Sequence, residues 1–185
     1  SLIWQINDCW PVASWSTTDY YHEWKAAHYV MRDCFKEVIV APKWEGDSLA
    51  VYAVSDRLED TRGMLSIKVL DFYGNLIFLT QRGANIPANT STVLWKLNRD
   101  SLLVGSSEKE VVLVVRLQGG QVLDEKNVYC VYHKDLDLPV PHFSIQAMEE
   151  NGEKFIQVSS NKLACNVMFY IPGVSTFFSD NYIDI

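Results

Sequence analysis

From about residue 37 onward, hydrophobic and polar residues alternate along the chain with a period of two. The segment 65–69 shows the pattern clearly, because three aliphatic residues are separated by Ser66 and Lys68. Such alternation is typical of a strand with one buried and one solvated face. It predicts seven strands, at residues 37–41, 49–55, 65–72, 76–80, 92–97, 111–117 and 127–132. Seven short strands joined by turns predict an immunoglobulin-like β-sandwich.

A second β region follows a proline-containing segment. Pro139 and Pro141 favour extended backbone and predict a linker at residues 136–140. Beyond the linker, alternation at 143–147, a hairpin turn at Asn151-Gly152 and strands at 155–159 and 166–171 are predicted. These strands are too few for a complete sandwich. Residues 141–185 are therefore expected to form an incomplete C-terminal immunoglobulin-like domain with unpaired strand edges.

The N-terminal segment has a different pattern. Residues 2–7 are mostly apolar and predict one short buried strand, which the Trp10-Pro11 pair ends. A loop rich in Ser, Thr and Trp follows, and apolar residues at helical spacing then predict an amphipathic helix at 19–35. A single strand–loop–helix unit cannot bury both of its faces. We therefore expect this unit to need further βα units or a sheet to join, and the chain to be a piece of a longer protein.

Composition excludes several functional classes. The 185 residues carry 16 basic and 23 acidic side chains, a net charge of −7, and show no basic block, which argues against nucleic-acid binding. The sequence has no apolar run of about 18 residues, so no membrane insertion is expected. Its four Cys and four His show no metal-ligand spacing. Neither a metal site nor a cofactor is predicted.

Two motifs resemble those of a known enzyme family. Residues 4–11 (WQINDCWP), with nearby SWS, DYY, WKA and HY segments between residues 14 and 29, resemble the end of the catalytic barrel in β-mannosidases of glycoside hydrolase family 2. Residues 178–184 (FSDNYID) resemble a segment of the C-terminal immunoglobulin-like domain in the same family. The two motifs occur in the family's order with a predicted sandwich between them, so the resemblance spans the chain.

The resemblance implies an architecture and an activity. Residues 1–36 would be the last strand, loop and helix of a (β/α)8 barrel, 37–135 an immunoglobulin-like sandwich, and 141–185 part of the last such domain. Family members release terminal non-reducing β-D-mannose with retention of configuration. Retention needs two carboxyl groups about 5–5.5 Å apart. In the family these are Glu residues on the fourth and seventh barrel strands, so no catalytic residue is expected in this chain and the chain alone is predicted to be inactive.

The resemblance also implies which residues line the sugar subsite. Ligands of barrel enzymes bind at the C-terminal ends of the strands. Trp4 would form the floor of the subsite for the cleaved mannose, because its flat face matches the C–H face of a pyranose, and the alternative is a Trp packed in the barrel core. Asn7 and Asp8 could bond mannose hydroxyls, although Asp8 could equally cap the loop or pair with a cation. Trp10 and Trp15 could each wall the entrance or wedge the loop against the helix, and the wedge role is the prediction for Trp15.

Other functions remain open on the sequence alone. Exo-β-glucosaminidases end their barrels in a similar pattern, and a non-catalytic carbohydrate-binding or interaction β-sandwich is a third hypothesis. For that third hypothesis, Tyr52, Phe72, Tyr73 and Trp95 could form a sugar platform or belong to the core. The expected partner is a mannose-containing oligosaccharide, and the barrel remnant and strand edges could support a homo-oligomer. The compartment is not fixed by the sequence, but the resemblance suggests an extracytoplasmic one.

Overall fold

The computed structural model describes residues 2–174 and 177–185 of the chain. Within these residues the strands are β1 (Val38–Glu45), β2 (Ser48–Ser55), β3 (Thr61–Asp71), β4 (Leu76–Ile86), β5 (Thr90–Asn98), β6 (Val111–Gly119), β7 (Gln121–Val128), β8 (Phe143–Glu150) and β9 (Glu153–Ser160). The helices are α1 (Ala26–Cys34), α2 (Arg99–Leu103) and a short 3-10 helix (His133–Asp135). The predicted predominantly β class is confirmed.

Strands β1 to β7 form a sandwich of two antiparallel sheets. One sheet has the order β1-β2-β5 and the other the order β4-β3-β6-β7. The chain therefore crosses between sheets after β2, after β4 and after β5, where α2 lies in the crossing. This is the immunoglobulin-like architecture that the strand pattern predicts.

The core lies between the two sheets and follows the alternation of the sequence. Leu65, Ile67 and Val69 on β3 are 0–1% exposed, whereas Lys68 between them is exposed. The same cluster includes inward-facing residues on β1, β2 and β6: Val38, Val40, Leu49, Val51, Ala53, Leu113, Val115 and Leu117. Their burial stabilises the sandwich by the hydrophobic effect.

One buried carboxylate joins the two sheets. Asp124 on β7 is 1% exposed, and its Oδ2 accepts a hydrogen bond of 3.0 Å from the backbone amide of Val40 on β1. Its Oδ1 lies 3.2 Å from the Lys126 ammonium. A buried carboxylate is tolerated when it is paired and hydrogen-bonded. Asp124 thus ties the edge strand of one sheet to the edge strand of the other.

The predicted strand positions differ from the structure mainly at β7. Six predicted strands overlap β1 to β6, but the seventh, predicted at 127–132, lies instead at Gln121–Val128. The reason is the tight turn after β6, where Gly120 adopts φ of +80° and Gln121 pairs directly with Gly119. Glycine adopts positive φ without steric cost, so the hairpin closes at once.

Strands β8 and β9 form a separate antiparallel hairpin. Its turn is at Asn151-Gly152, as predicted, with φ of +54° and +81°. Pairs such as Ile145 with Val158 lie on one face, and most residues of the two strands are exposed. The strand predicted at 166–171 is reduced to a single bridge between Val167 and Ile183.

The chain divides into two compact units. One, called here the terminal unit, comprises Ser1–Lys36 together with Ala164–Ile185, and the other, the sandwich unit, comprises Glu37–Leu163. The described part of 164–185 thus belongs with the N-terminal segment, whereas the sequence pattern assigns 141–185 to one domain. The domain boundaries at 36, 135 and 140 stay predictions.

The terminal unit corrects two sequence-based expectations. Residues 2–7 form no regular strand, and Asn7 makes only one isolated parallel bridge to Thr18. The helix predicted at 19–35 begins only at Ala26. Backbone groups before Ala26 already have other hydrogen-bond partners. The Lys25 amide donates to the Thr17 carbonyl at 3.0 Å, and Trp24 forms a β-bridge with Thr18. A backbone group bonded elsewhere cannot join a helix.

Candidate functional site

The candidate site is the loop at residues 8–16, which we call the tryptophan loop. Its base is closed by two backbone hydrogen bonds, from Thr17 to the Gln5 carbonyl at 3.0 Å and from Thr18 to the Ile6 carbonyl at 2.8 Å. The Thr18 hydroxyl also donates to the Ile6 carbonyl, at 2.7 Å. These bonds hold the two ends of the loop next to each other.

Asp8 holds the loop from inside. Its side chain is buried, and its Oδ1 accepts a hydrogen bond from the Ser14 hydroxyl. Its Oδ2 accepts from the Lys25 ammonium at 3.0 Å, and the same ammonium donates to the Ser16 hydroxyl at 2.7 Å. The sequence leaves two roles open for Asp8, sugar binding or loop capping with a cation. In the structure both carboxylate oxygens are engaged within this network, and the cation is Lys25.

The network keeps Asp8 ionised. The hydrogen bond from Ser14, with further contributions from Ser16 and Lys25, lowers the pKa of the Asp8 carboxyl in spite of its burial. Hydrogen bonds to the charged form of a carboxyl stabilise that form. Lys25 therefore faces a carboxylate at neutral pH, and the pair is a charge-assisted contact.

The other predicted site residues lie on the surface around this network. Trp4 is 78% exposed and Trp10 is 66% exposed, so their ring faces are available to a ligand. Asn7 is exposed, and its side-chain amide donates to the neighbouring Asp8 carbonyl, at 3.3 Å. Trp15 is 83% exposed, so the prediction that it wedges the loop against the helix is wrong.

The helix that follows is attached to the base of the loop. His28 Nδ1 lies 3.0 Å from the Thr17 hydroxyl, and its ring is 4.2 Å from the Trp24 ring between centroids. Tyr29 is the buried residue of α1 and contacts the edge of Trp24, with a centroid distance of 5.2 Å. The helical spacing of Trp24, Ala27, His28, Met31 and Phe35 predicts one apolar face, but Ala27 and Phe35 are exposed, so that face is not buried as a whole.

The second motif, at residues 178–184, contacts the same helix. Arg32 donates to the Ser179 carbonyl at 2.7 Å and to Asp180 Oδ1 at 3.0 Å. Asn181 is buried, and its side chain bonds both the amide and the carbonyl of Phe169, at 2.7 and 3.0 Å. The motif therefore folds back on itself and onto α1. Sequence reasoning missed this contact because 147 residues separate Arg32 from Ser179.

The sandwich unit shows no aromatic platform among its four candidate residues. Phe72 is buried in a small cluster, and Trp95 packs against the main core under the Arg82 guanidinium. Tyr52 donates to a Glu45 oxygen at 2.8 Å, and only Tyr73 of the four is largely exposed.

Other kinds of site find no support in the described part of the chain. Its residues contain no group of three or more His, Cys, Asp or Glu side chains placed to hold a metal ion. Across the same residues, no helix is long and apolar enough to cross a membrane.

Comparison with known proteins shows which proteins this chain is similar to. Residues 47–135 match the model of the Mannosidase Ig/CBM-like domain. The resemblance to β-mannosidases of glycoside hydrolase family 2 is confirmed, and this chain is related to them over nearly its whole length.

Two relatives carry that statement. Beta-mannosidase A of Aspergillus terreus is 27% identical over 197 residues, which cover 98% of this chain and 21% of the relative. The crystal structure of a β-D-mannosidase from Dictyoglomus thermophilum matches with a TM-score of 0.80 and 30% identity, covering 100% of this chain and 22% of that one. An exo-chitosanase from Amycolatopsis orientalis shares the fold, with a TM-score of 0.64 at 11% identity over 98% of this chain and 26% of that one. The chain spans about a fifth of the length of the β-mannosidases it matches.

Proposed function

We propose that this chain is part of a retaining exo-β-mannosidase, a glycoside hydrolase that releases terminal non-reducing β-D-mannose from oligosaccharides. The chain supplies one wall of the mannose subsite and a structural sandwich, and the catalytic carboxylates belong to a part of the enzyme outside these residues. The relation to β-mannosidases along 98% of the chain carries the choice of substrate. The accompanying proposals are that the chain alone has no activity and needs no cofactor.

Within the wall, Trp4 is the proposed floor of the subsite. Its 78% exposure leaves a ring face free to stack on a pyranose. Asn7 and Trp10 are also exposed and are proposed to contact mannose hydroxyls and to line the entrance, respectively. Asp8 belongs to the proposed subsite as well, but a mannose hydroxyl would have to share an oxygen already bonded to Ser14 or Lys25. Its larger contribution is to fix the loop that carries Trp10.

Kinetics of the enzyme that contains this chain test the proposal. We expect Trp4→Ala to lower kcat/KM for an aryl β-mannoside by about tenfold or more, because the loss of apolar contact area in a substrate pocket costs roughly 1–3 kcal/mol. Trp15→Ala is the matched control, since Trp15 is equally exposed but lies outside the proposed subsite. An unchanged kcat/KM for Trp4→Ala would remove Trp4 from the subsite.

Two further measurements separate the alternatives. The 185-residue chain alone should not hydrolyse an aryl β-mannoside, and turnover would show that catalytic groups lie within it. Exo-β-glucosaminidase activity is the second candidate, supported by the fold shared with the exo-chitosanase. The higher identity to β-mannosidases favours mannose. An enzyme that cleaves aryl β-glucosaminide faster than aryl β-mannoside would reverse that preference.

A further inference from the structure

A cavity of about 750 Å³ lies in the terminal unit, between α1 with its preceding turn and the segment that carries the second motif. Small-ligand sites have volumes of roughly 300–1,000 Å³ and are mostly apolar with a few converging polar groups. None of the four predicted subsite residues lines this cavity. It is therefore distinct from the proposed mannose wall, although Lys25 reaches both, because its side chain lines the cavity and its ammonium bonds Asp8.

The cavity has aromatic walls and an open aromatic rim. Trp24 stands edge-on to Tyr29 and to Phe177, at centroid distances of 5.2 and 5.9 Å, and all three line the cavity. Tyr21 and Tyr170 also line it and are each 68% exposed. Rings that are accessible on one face are suited to stacking on a ligand with a flat apolar face. An open rim suits one end of a longer molecule better than a small ligand that must be enclosed.

Two acidic residues, Asp19 and Glu23, and one basic residue, Lys25, line the cavity. Asp19 Oδ1 accepts hydrogen bonds from the backbone amides of Tyr21 and Glu23, at 2.8 and 2.9 Å. The ammonium of Lys25 is already engaged by Asp8 and Ser16. Carboxylates accept hydrogen bonds and repel anions. The cavity therefore favours a neutral ligand rich in hydroxyl donors over a phosphate, a sulfate or an acidic sugar.

We propose that this cavity is an accessory saccharide site, which stacks a pyranose unit of a neutral oligosaccharide on Tyr170 and Tyr21 and bonds one of its hydroxyls to Asp19. The inference rests on the proposed function for the choice of mannose as the sugar. A carboxylate-lined aromatic cavity could also hold an organic ammonium ion by cation–π contact. The wide rim argues against that ligand, because the strongest cation sites surround and desolvate the charge.

Titration of the full chain with β-1,4-mannotriose, monitored by calorimetry and ligand-observed NMR, tests the site. We expect saturable binding that Tyr170→Ala and Tyr21→Ala each weaken by about fivefold, the order expected for one aromatic contact. Tyr170→Phe should bind like the unchanged chain, since the stacking face remains. Tyr132→Ala is the matched control, because Tyr132 is 78% exposed and lies in the sandwich unit. The replaced tyrosines are exposed, so circular dichroism should show unchanged folding.

Three other results would contradict the proposal of an accessory saccharide site, and none of them would decide whether the longer enzyme is a β-mannosidase. Binding that Trp4→Ala abolishes and Tyr170→Ala leaves intact would place the sugar on the mannose wall alone. Absence of saturation at about 10 mM mannotriose would show that the cavity takes no neutral saccharide of this class. Saturable binding of tetramethylammonium in place of mannotriose would assign a cation. In each case the kinetics of Trp4→Ala in the longer enzyme still test the mannosidase proposal independently.

Discussion

The sandwich unit buries aliphatic side chains from both of its sheets, whereas the terminal unit buries mostly polar ones. The main cluster of the sandwich includes residues such as Ile67 and Leu113 at 0% exposure. Among the described residues of the terminal unit, the buried apolar side chains are Tyr29 and Ala164, and the buried polar ones are Asp8, Ser16, Thr17 and Asn181. The sandwich is therefore stabilised by removal of apolar surface from water, and the terminal unit by hydrogen bonds and charge. The proposed binding residues all belong to the second kind of unit.

The largest effect is expected from a cavity in the sandwich core. Ile67→Ala should lower the free energy of unfolding by about 2–5 kcal/mol, since the buried methylene groups are removed and the well-packed sheets cannot close the gap. Urea unfolding followed by far-UV circular dichroism measures this loss. Leu79→Ala is the control, because Leu79 lies on β4 but is 45% exposed, and its loss should be much smaller. Equal losses for the two variants would contradict a core organised by the alternation.

A smaller, pH-dependent effect is expected in the terminal unit. The pKa of Asp8 is lowered in the folded chain, so its ionised form contributes stability above the ordinary carboxyl pKa of about 3.9, and this contribution disappears as the pH falls through the lowered value. Asp8→Asn removes the contribution. The difference in stability between the unchanged chain and the variant should be largest near neutral pH and shrink below about pH 4.

Tryptophan fluorescence can follow that transition locally. Four of the six tryptophans, Trp4, Trp10, Trp15 and Trp24, belong to the terminal unit. Asp124→Asn in the sandwich is a useful comparison because it alters another buried carboxylate while leaving the Asp8 network intact. A stability difference for Asp8→Asn that stays constant from pH 7 to about pH 3 would show that the charge of Asp8 does not hold the loop.

The smallest effect concerns thiol reactivity. Burial raises the pKa of Cys130, in the sandwich unit, to about 11, whereas Cys9 and Cys34 of the terminal unit are exposed. Because the thiolate is the reactive form, iodoacetamide at about pH 8 should modify Cys9 and Cys34 first and Cys130 much more slowly. Mass spectrometry of the labelled peptides measures the order. The urea-unfolded chain gives the reference rate for each thiol. If Cys130 in the native chain reacted as fast as Cys9 and Cys34, the burial of Cys130 in the sandwich unit would not protect its thiol.

The sandwich is predictable because strand alternation is a local signal. The spacing of Leu65, Ile67 and Val69 assigns the inner face of β3, and Lys68 between them is exposed as the pattern predicts. Ser66 is an exception, because it is only 8% exposed although it lies on the other face of the strand. The misplaced seventh strand shows the limit of the signal. Alternation predicts the strand at 127–132, but the turn at Gly120 starts β7 earlier, and its buried Asp124 interrupts the apolar pattern.

The terminal unit is less predictable because its contacts are long-range. The sequence places Trp4, Asn7, Asp8 and Trp10 together on one segment, and the structure keeps them within the same unit. No local pattern signals the bond between Arg32 and Asp180. The helix start is missed for a different reason. Asp is a residue type that often caps the N-terminus of a helix. In this chain, however, the Asp19 carboxylate accepts hydrogen bonds from the backbone amides of Tyr21 and Glu23 and so closes a turn instead.

The hydrogen bond from Val40 to Asp124 has a consequence for self-association. β1 is an edge strand, and the Val40 amide on its unpaired side is bonded to Asp124. Amides two residues apart on a strand point to the same side. The next residue on that side is therefore Pro42, which has no N–H to donate. An edge without a regular row of donors is a poor template for a strand from a second molecule. Fibril-like stacking of sandwiches through β1 is thus disfavoured by the same proline and carboxylate that shape this edge.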